Sequence, residues 1–133
     1  LLVVAMGVLV WMLFGWQIPS LAQAVGTYSC VYPYGMETLT LDKDGNYHQS
    51  IKLNAGGTLT NTGRWILRME VPFRGDIELD NAIIVDSGFG TPAKDQTPRS
   101  GAWFMAIRRR NRDGEVLIQV NEDVGLYFVK VGG

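Results

Sequence analysis

The sequence is poor in the residues that most often carry enzyme chemistry. Its 133 residues include one cysteine, Cys30, and one histidine, His48. A single cysteine excludes an internal disulfide, and one histidine with one cysteine supplies too few soft ligands for a zinc or haem site. We therefore predict no metal and no cofactor. We interpret Cys30 as a buried structural residue and His48 as a surface residue rather than a catalytic base.

Charge is missing from the start of the chain. Residues 1–16 read LLVVAMGVLVWMLFGW, and the first charged side chain is Glu37. An apolar run followed by Pro19 and by the small residues Ala22 and Ala24 fits either a cleaved secretory signal peptide or an anchor that is kept. As a helix rising about 1.5 Å per residue, residues 1–16 extend about 24 Å, against ~30 Å for the apolar core of a bilayer.

Of these two alternatives we favour the retained anchor. The chain begins with leucine rather than methionine, so we expect upstream residues to complete the span. The predicted organisation is a transmembrane helix over residues 1–18, a linker over 19–25 and a β domain over 26–133. Trp11, Phe14 and Trp16 are the expected membrane-anchor residues. The tryptophans suit an aromatic belt, although generic apolar filling explains them equally well.

The distribution of basic residues predicts the side of the membrane on which the β domain lies. No lysine or arginine occurs between the apolar segment and Lys43, whereas cytoplasmic flanks are normally rich in both. We therefore expect a single-pass protein of the bacterial inner membrane with a periplasmic, or otherwise extracytoplasmic, C-terminal domain.

The charge balance and the short acidic motifs argue against two further classes of function. The chain has 12 basic and 13 acidic residues and a net charge of −1, which gives no reason to expect a nucleic-acid partner. The sequence Asp42-Lys43-Asp44-Gly45 is similar to the start of a calcium loop, but its glycine comes too early and no distal glutamate follows in register. We interpret it as a hairpin turn, and we do not expect an enzyme.

From Val25 onward, polar and apolar residues alternate with period two, a pattern typical of antiparallel strands with one buried face. We predict an all-β, antiparallel up-and-down meander of about eight strands that closes into a small barrel or sandwich, without a soluble helix. In the last hairpin we expect Val116, Ile118 and Val120 to meet Tyr127, Val129 and Val131 on the buried face. The candidate strands are 26–32, 36–42, 45–53, 57–61, 63–70, 76–86 (with a break near Asn81 as an alternative), 101–110, 115–120 and 124–131.

A glycine followed two residues later by an aromatic residue recurs along these strands, first at Gly26-Thr27-Tyr28. This motif at the first strand, followed by a meander with Asp-Gly turns, resembles lipocalin-like small barrels. The aromatic residue here is Tyr28 rather than the usual tryptophan, and Lys130 is the nearest candidate for the arginine that packs over that ring. The resemblance implies a barrel and, with it, binding of an apolar ligand.

Two regions are candidates for docking a partner. The connection over residues 87–100 has no periodicity and includes Phe89 and Pro92; long connections of this kind are often functional, or simply surface loops. In the C-terminal hairpin, a turn at residues 121–124 would put Leu117 opposite Phe128 on the outer face, beside Leu126 and Arg108. Exposed apolar side chains next to an arginine suit an interface, although a second packed layer would make the same face core.

These observations favour a non-catalytic, single-pass accessory subunit of a larger membrane protein complex, with a respiratory or photosynthetic complex as one host. The helix would contact the lipid bilayer, and the β domain would dock on the outer face of other membrane subunits. The alternative is a membrane-tethered, lipocalin-like binder of an apolar ligand, which requires a cavity that Tyr28, Tyr47, Trp65, Trp103 and Tyr127 could instead fill.

Overall fold

Eight antiparallel strands close into an up-and-down barrel in which each strand pairs with the next and the last pairs with the first. The computed structural model describes residues 2–14, 18–33, 35–70, 74–84, 99–109, 115–121 and 125–132. The all-β prediction and its barrel form are therefore confirmed. The elements are α1 (Leu2–Phe14), α2 (Leu21–Ala24), β1 (Gly26–Tyr32), β2 (Gly35–Leu41), β3 (Asn46–Leu53), β4 (Thr58–Glu70), β5 (Arg74–Ile84), β6 (Arg99–Arg109), β7 (Val116–Asn121) and β8 (Leu126–Gly132).

The residues that alternate in the sequence lie on the two opposite faces of the barrel wall. Along β1 and β2, buried and partly or fully exposed residues alternate over the whole of each strand. Because successive strand residues point to opposite faces, one set of side chains fills the interior and the other meets solvent. The interior core includes Tyr28, Leu39, Leu41, Tyr47, Trp65, Ile77, Leu79, Met105, Ile107, Ile118 and Phe128.

One predicted strand boundary was wrong, and the irregularity considered near Asn81 is present within a continuous strand. The candidate strands 57–61 and 63–70 are one continuous strand, β4, which pairs with β3 through Gly63↔Tyr47 and with β5 through Trp65↔Leu79. The expected irregularity near Asn81 is a bulge rather than a break. Asn81 has a φ of +46°, and the pairing of β5 with β6 shifts register between Leu79 and Ala82.

The inward face of β8 is the opposite of the one predicted. The register shifts between Gln119 and Asn121, and it pairs Ile118 with Phe128. A shift of one residue exchanges the two faces of a strand. Phe128 is therefore fully buried in the core, while Tyr127 lies on the other face, where the Arg108 guanidinium is 6.0 Å from the centre of its ring.

The apolar N-terminal run forms α1, and all of its described side chains, from Leu2 to Leu9, are exposed. Over 13 residues, α1 is about 20 Å long. Within the described ranges, none of the helices has both the length and the apolar character required to cross a membrane. Of the predicted anchor residues, Trp11 and Phe14 belong to α1, and Trp16 lies outside the described residues.

Residues 18–25 close one end of the barrel, which we call the lower end. The predicted linker contains a short helix, α2, whose capping box joins Ser20 and Gln23 in both directions. The hydroxyl of Tyr28 donates a hydrogen bond to the Ala24 carbonyl at 2.6 Å, and Lys130 Nζ donates one to the Gln23 carbonyl at 2.8 Å. The start of the barrel is thus fastened to the segment that follows α1.

Candidate functional site

A pair of polar side chains is buried inside the barrel, in the half away from the lower end. Glu37 on β2 and Gln49 on β3 both point inward and are 0% and 2% exposed. Glu37 Oε1 accepts a hydrogen bond from the Tyr32 hydroxyl at 3.2 Å, and Glu37 Oε2 accepts one from Gln49 Nε2 at 3.0 Å. A buried carboxyl group is tolerated there because two donors face it.

Burial is the dominant influence on the protonation of Glu37. Removal from water disfavours the charged carboxylate and raises the pKa of Glu37 from 4.5 to about 7, while the hydrogen bonds from Gln49 and Tyr32 act in the opposite direction. Burial also raises the pKa of the Tyr28 hydroxyl, and that of Tyr47, where the charge of Asp80 adds to the effect. Near neutral pH, Glu37 is therefore close to the midpoint of its titration.

The Gln49 amide uses all of its hydrogen-bonding capacity inside the barrel. Its Nε2 donates to Glu37 and, at 2.9 Å, to the Ile83 carbonyl; its Oε1 accepts from the Ile83 N–H at 2.9 Å and from Asn61 Nδ2 at 3.2 Å. The side chain of Gln49 thereby supplies β5 with the pair of bonds that a neighbouring strand would normally supply. Glu37, in turn, fixes which way this amide points.

Asn61 and Tyr47 extend the same pattern to the bulge of β5. Asn61 Nδ2 donates to the Asn81 carbonyl at 2.9 Å, and the Tyr47 hydroxyl donates to the Asp80 carbonyl. In the half of β5 away from the lower end, side chains therefore provide the hydrogen-bond partners of the main-chain groups that face β4. We call this region, made of Glu37, Gln49, Asn61, Tyr47 and Tyr32, the polar network.

The predicted docking residues do not form one surface. Arg108 is exposed, but its Cα partner Leu117 is only 4% exposed, and Phe128 is completely buried. Leu126 packs against the core. The expectation of an outer patch made by these four residues was wrong because the bulge in β7–β8 turns Leu126 and Phe128 inward. Phe89 and Pro92 lie outside the described residues.

Other exposed apolar side chains occupy the outer face. Ile66, Glu78 and Phe104 lie side by side across β4, β5 and β6, because Ile66 pairs with Glu78 and Glu78 pairs with Phe104. Ile66 is 46% and Phe104 is 61% exposed. Glu78 Oε2 forms a 2.8 Å ion pair with Arg68 Nη2 beside them. We call Ile66, Phe104, Glu78 and Arg68 the outer patch.

Several residues singled out in the sequence have structural roles. Asp42 Oδ1 accepts hydrogen bonds from the N–H groups of Asp44 and Asn46, at 3.0 and 2.9 Å, which confirms the predicted hairpin turn. His48 is exposed and Cys30 is buried, as expected. No group of three or more potential metal ligands occurs in the parts of the chain that the structure describes.

Sequence reasoning missed the polar network although the alternation contained a signal for it. Glu37 is two and four residues from Leu39 and Leu41, and Gln49 is two residues from both Tyr47 and Ile51; these four neighbours are all buried in the barrel. A strand with one buried face buries every second residue, polar or not. The inward position of both polar side chains could therefore be predicted, but their contact depends on the register of β2 with β3, which pairs Glu37 with Ile51 and Leu39 with Gln49.

Comparison with protein-family models, with curated proteins and with solved structures gives no match to this chain. The fold alone defines its class, a closed eight-stranded up-and-down barrel, which is the architecture of lipocalin-like proteins. Tyr28 and Lys130 are Cα partners across β1 and β8.

Proposed function

We propose that this chain is a non-catalytic accessory subunit that is anchored in a membrane by its N-terminal segment and docks its barrel on other membrane subunits. The observation that carries the proposal is the apolar surface of α1. Leu2, Val4, Val8 and Leu9 lie at different angles around the helix, and each is more than half exposed. A helix that is apolar on all sides is stable where lipid or protein covers it.

The lipid bilayer is the cover we propose for α1. No charged side chain occurs before Glu37, so nothing in this segment opposes burial in hydrocarbon. Residues 1–16 reach about 24 Å as a helix, and a bilayer can thin locally around a short apolar span at modest cost. The absence of Lys and Arg before Lys43 supports an extracytoplasmic barrel.

Flotation with phosphatidylcholine–phosphatidylglycerol vesicles tests the anchor. We expect the full chain to float with the vesicles and the double variant Val4→Lys/Val8→Lys to stay at the bottom of the gradient. Each lysine costs about 2.5 to 3.5 kcal/mol at the centre of a membrane helix. The matched control, Val4→Leu/Val8→Leu, should float like the wild type. Equal flotation of the lysine variant would contradict the anchor.

The outer patch is the surface we propose for docking. Its two apolar side chains flank Glu78, whose ion-pair partner Arg68 is exposed, and apolar contacts beside an arginine are typical of protein interfaces. The double variant Ile66→Ser/Phe104→Ser removes the apolar contacts from the outside of the wall. We expect it to release the chain from its assembly without unfolding the barrel. The control Thr38→Ser/Thr40→Ser changes outward side chains on β2 and should remain bound.

A lipocalin-like binder is the second candidate, and one observation favours it. The lower end is closed by residues 18–25, and the polar network lies in the opposite half of the interior, where a small ligand could meet Glu37. Against it, Tyr28, Tyr47 and Trp65 already occupy the core. Native mass spectrometry of the detergent-extracted chain distinguishes the two: a bound small molecule in stoichiometric amount favours the binder.

A further inference from the structure

Within the part of the chain that the structure describes, residues Thr58–Arg64, the half of β4 away from the lower end, pair with a strand on one side only. It pairs with β3 from Lys52↔Thr58 to Asn46↔Arg64. The pairing of β4 with β5 begins only at Trp65↔Leu79 and continues towards the lower end. Among the residues that the structure describes, β4 therefore has an unpaired edge, which we call the β4 edge.

The hydrogen bonds show which main-chain groups face this edge. The N–H of Trp65 donates towards β3, to the Gly45 carbonyl at 2.9 Å, whereas the N–H of Arg64 donates towards β5, to Asp80 Oδ1 at 2.6 Å. The N–H and C=O groups of alternate residues point to opposite sides of a strand. The N–H and C=O groups of Thr60 and Thr62 therefore face away from β3, and both residues are exposed.

The facing side of β5 is not available to complete this edge. The polar network already provides partners for the carbonyls of Asp80 and Asn81 and for both main-chain groups of Ile83. Residues 58–62 of the β4 edge, TLTNT, contain neither charge nor proline, two of the features that protect edge strands from pairing. As far as the described residues show, side chains seal the β5 side of the gap, and the β4 side is open.

We propose that the β4 edge binds an extended polypeptide segment of a partner subunit by β-strand addition, with Thr60 and Thr62 as the pairing residues. This inference rests on the proposed accessory function and specifies one contact within it. Main-chain N–H and C=O groups in alternating order are recognised by another extended main chain, which supplies the complementary groups.

The proposed membrane anchor argues against a second copy of this chain as the occupant. Antiparallel pairing of one β4 edge with another would place a two-fold axis perpendicular to the strand. That rotation turns one barrel end over end, because β4 runs between its two ends. The lower end of each barrel is where the chain arrives from α1. The two lower ends would then point in opposite directions. Two anchors in one bilayer do not allow this arrangement.

Hydrogen exchange at single residues tests the proposal. The probe is D₂O, applied to the gently extracted assembly and to the full chain dissociated from it in detergent. We expect the amides of Thr60 and Thr62 to exchange about 100-fold more slowly in the assembly, since strand pairing protects main-chain amides. The amides of Asn61 and Gly63, which face β3, serve as internal controls and should be protected in both samples.

A pair of variants distinguishes the contribution of the main-chain N–H to partner binding from the contribution of the threonine side chain. Thr62→Pro removes the N–H that faces the gap, and Thr62→Val keeps it; Thr60→Pro repeats the test at the second position. We expect each proline variant to retain a native thermal unfolding transition and to bind its assembly about tenfold more weakly, a loss typical of one or two main-chain hydrogen bonds. Thr62→Val should bind as the wild type does.

The outcomes distinguish this inference from the function on which it rests. An assembly that forms normally while Thr60 and Thr62 exchange fast overturns strand addition and leaves the accessory function standing. A chain that migrates alone overturns both. Protection that depends on the concentration of the purified chain identifies a second copy as the occupant and overturns the partner.

Discussion

Replacing Glu37 by glutamine should remove a pH dependence of stability that the buried carboxyl group creates. The pKa of Glu37 is raised from 4.5 to about 7 in the folded chain. As the pH rises from 4.5, the unfolded chain loses this proton while the folded chain keeps it. Stability therefore falls between about pH 4.5 and pH 7 and is level above that range.

The size of the effect follows from the two pKa values. The interval from 4.5 to about 7 corresponds to about 3 kcal/mol of lost stability, at 1.36 kcal/mol per pKa unit. Glutamine has nearly the same shape and no charge. Its carbonyl can accept from Gln49, and its amide can donate to the Tyr32 hydroxyl, so no buried polar atom is left without a partner.

Urea unfolding of the full chain in detergent, at pH 4.5 and pH 8, measures the effect. We expect Glu37→Gln to match the wild type within about 1 kcal/mol at pH 4.5 and to exceed it by about 2 to 3 kcal/mol at pH 8. The control Asp44→Asn removes one negative charge from an exposed turn and should keep the wild-type dependence. A glutamine variant that is equally destabilised at both pH values would refute the reasoning.

Four further substitutions test the packing of the barrel. Tyr28→Phe leaves the α2 carbonyl without its donor and should lower the free energy of unfolding by about 1–2 kcal/mol in urea titrations. Phe128→Ala should cost about 3–5 kcal/mol because it opens a cavity in the core, whereas Phe104→Ala on the outer face should change stability by about 0.5 kcal/mol or less; equal costs would contradict the observed faces. Gly63→Ala would bring a methyl group within 2.6 Å of the Tyr47 ring and should lower the melting temperature by several degrees, a loss of about 1–3 kcal/mol.

The sequence was sufficient to predict the class of fold because that class depends on local alternation. In β2, Leu39 and Leu41 alternate with Thr38 and Thr40, and the strand forms where predicted to within one residue. The capping box of α2 was also present as a local signal, since Ser20 precedes Gln23 by three residues. It was assigned to a linker because a helix of four residues has no periodicity to detect.

The functional surfaces depend on features that local patterns do not contain. The bulge between Gln119 and Asn121 reverses which residues of β8 point into the barrel, relative to the prediction. The alternation of residues within β8 does not indicate this bulge. The β4 edge exists because the bulge at Asn81 ends the pairing of β5 with β4 above Trp65. Both features are properties of strand pairing, which joins residues distant in sequence.

The native mass of the particle extracted gently from its own membrane tests the accessory function most directly. We predict that the wild-type chain of 14.7 kDa migrates within a much larger particle that contains other polypeptides. The folded variant Ile66→Ser/Phe104→Ser should be lost from that particle. A wild-type chain that migrates at its own mass plus detergent, or a variant retained in full, would contradict the proposed function.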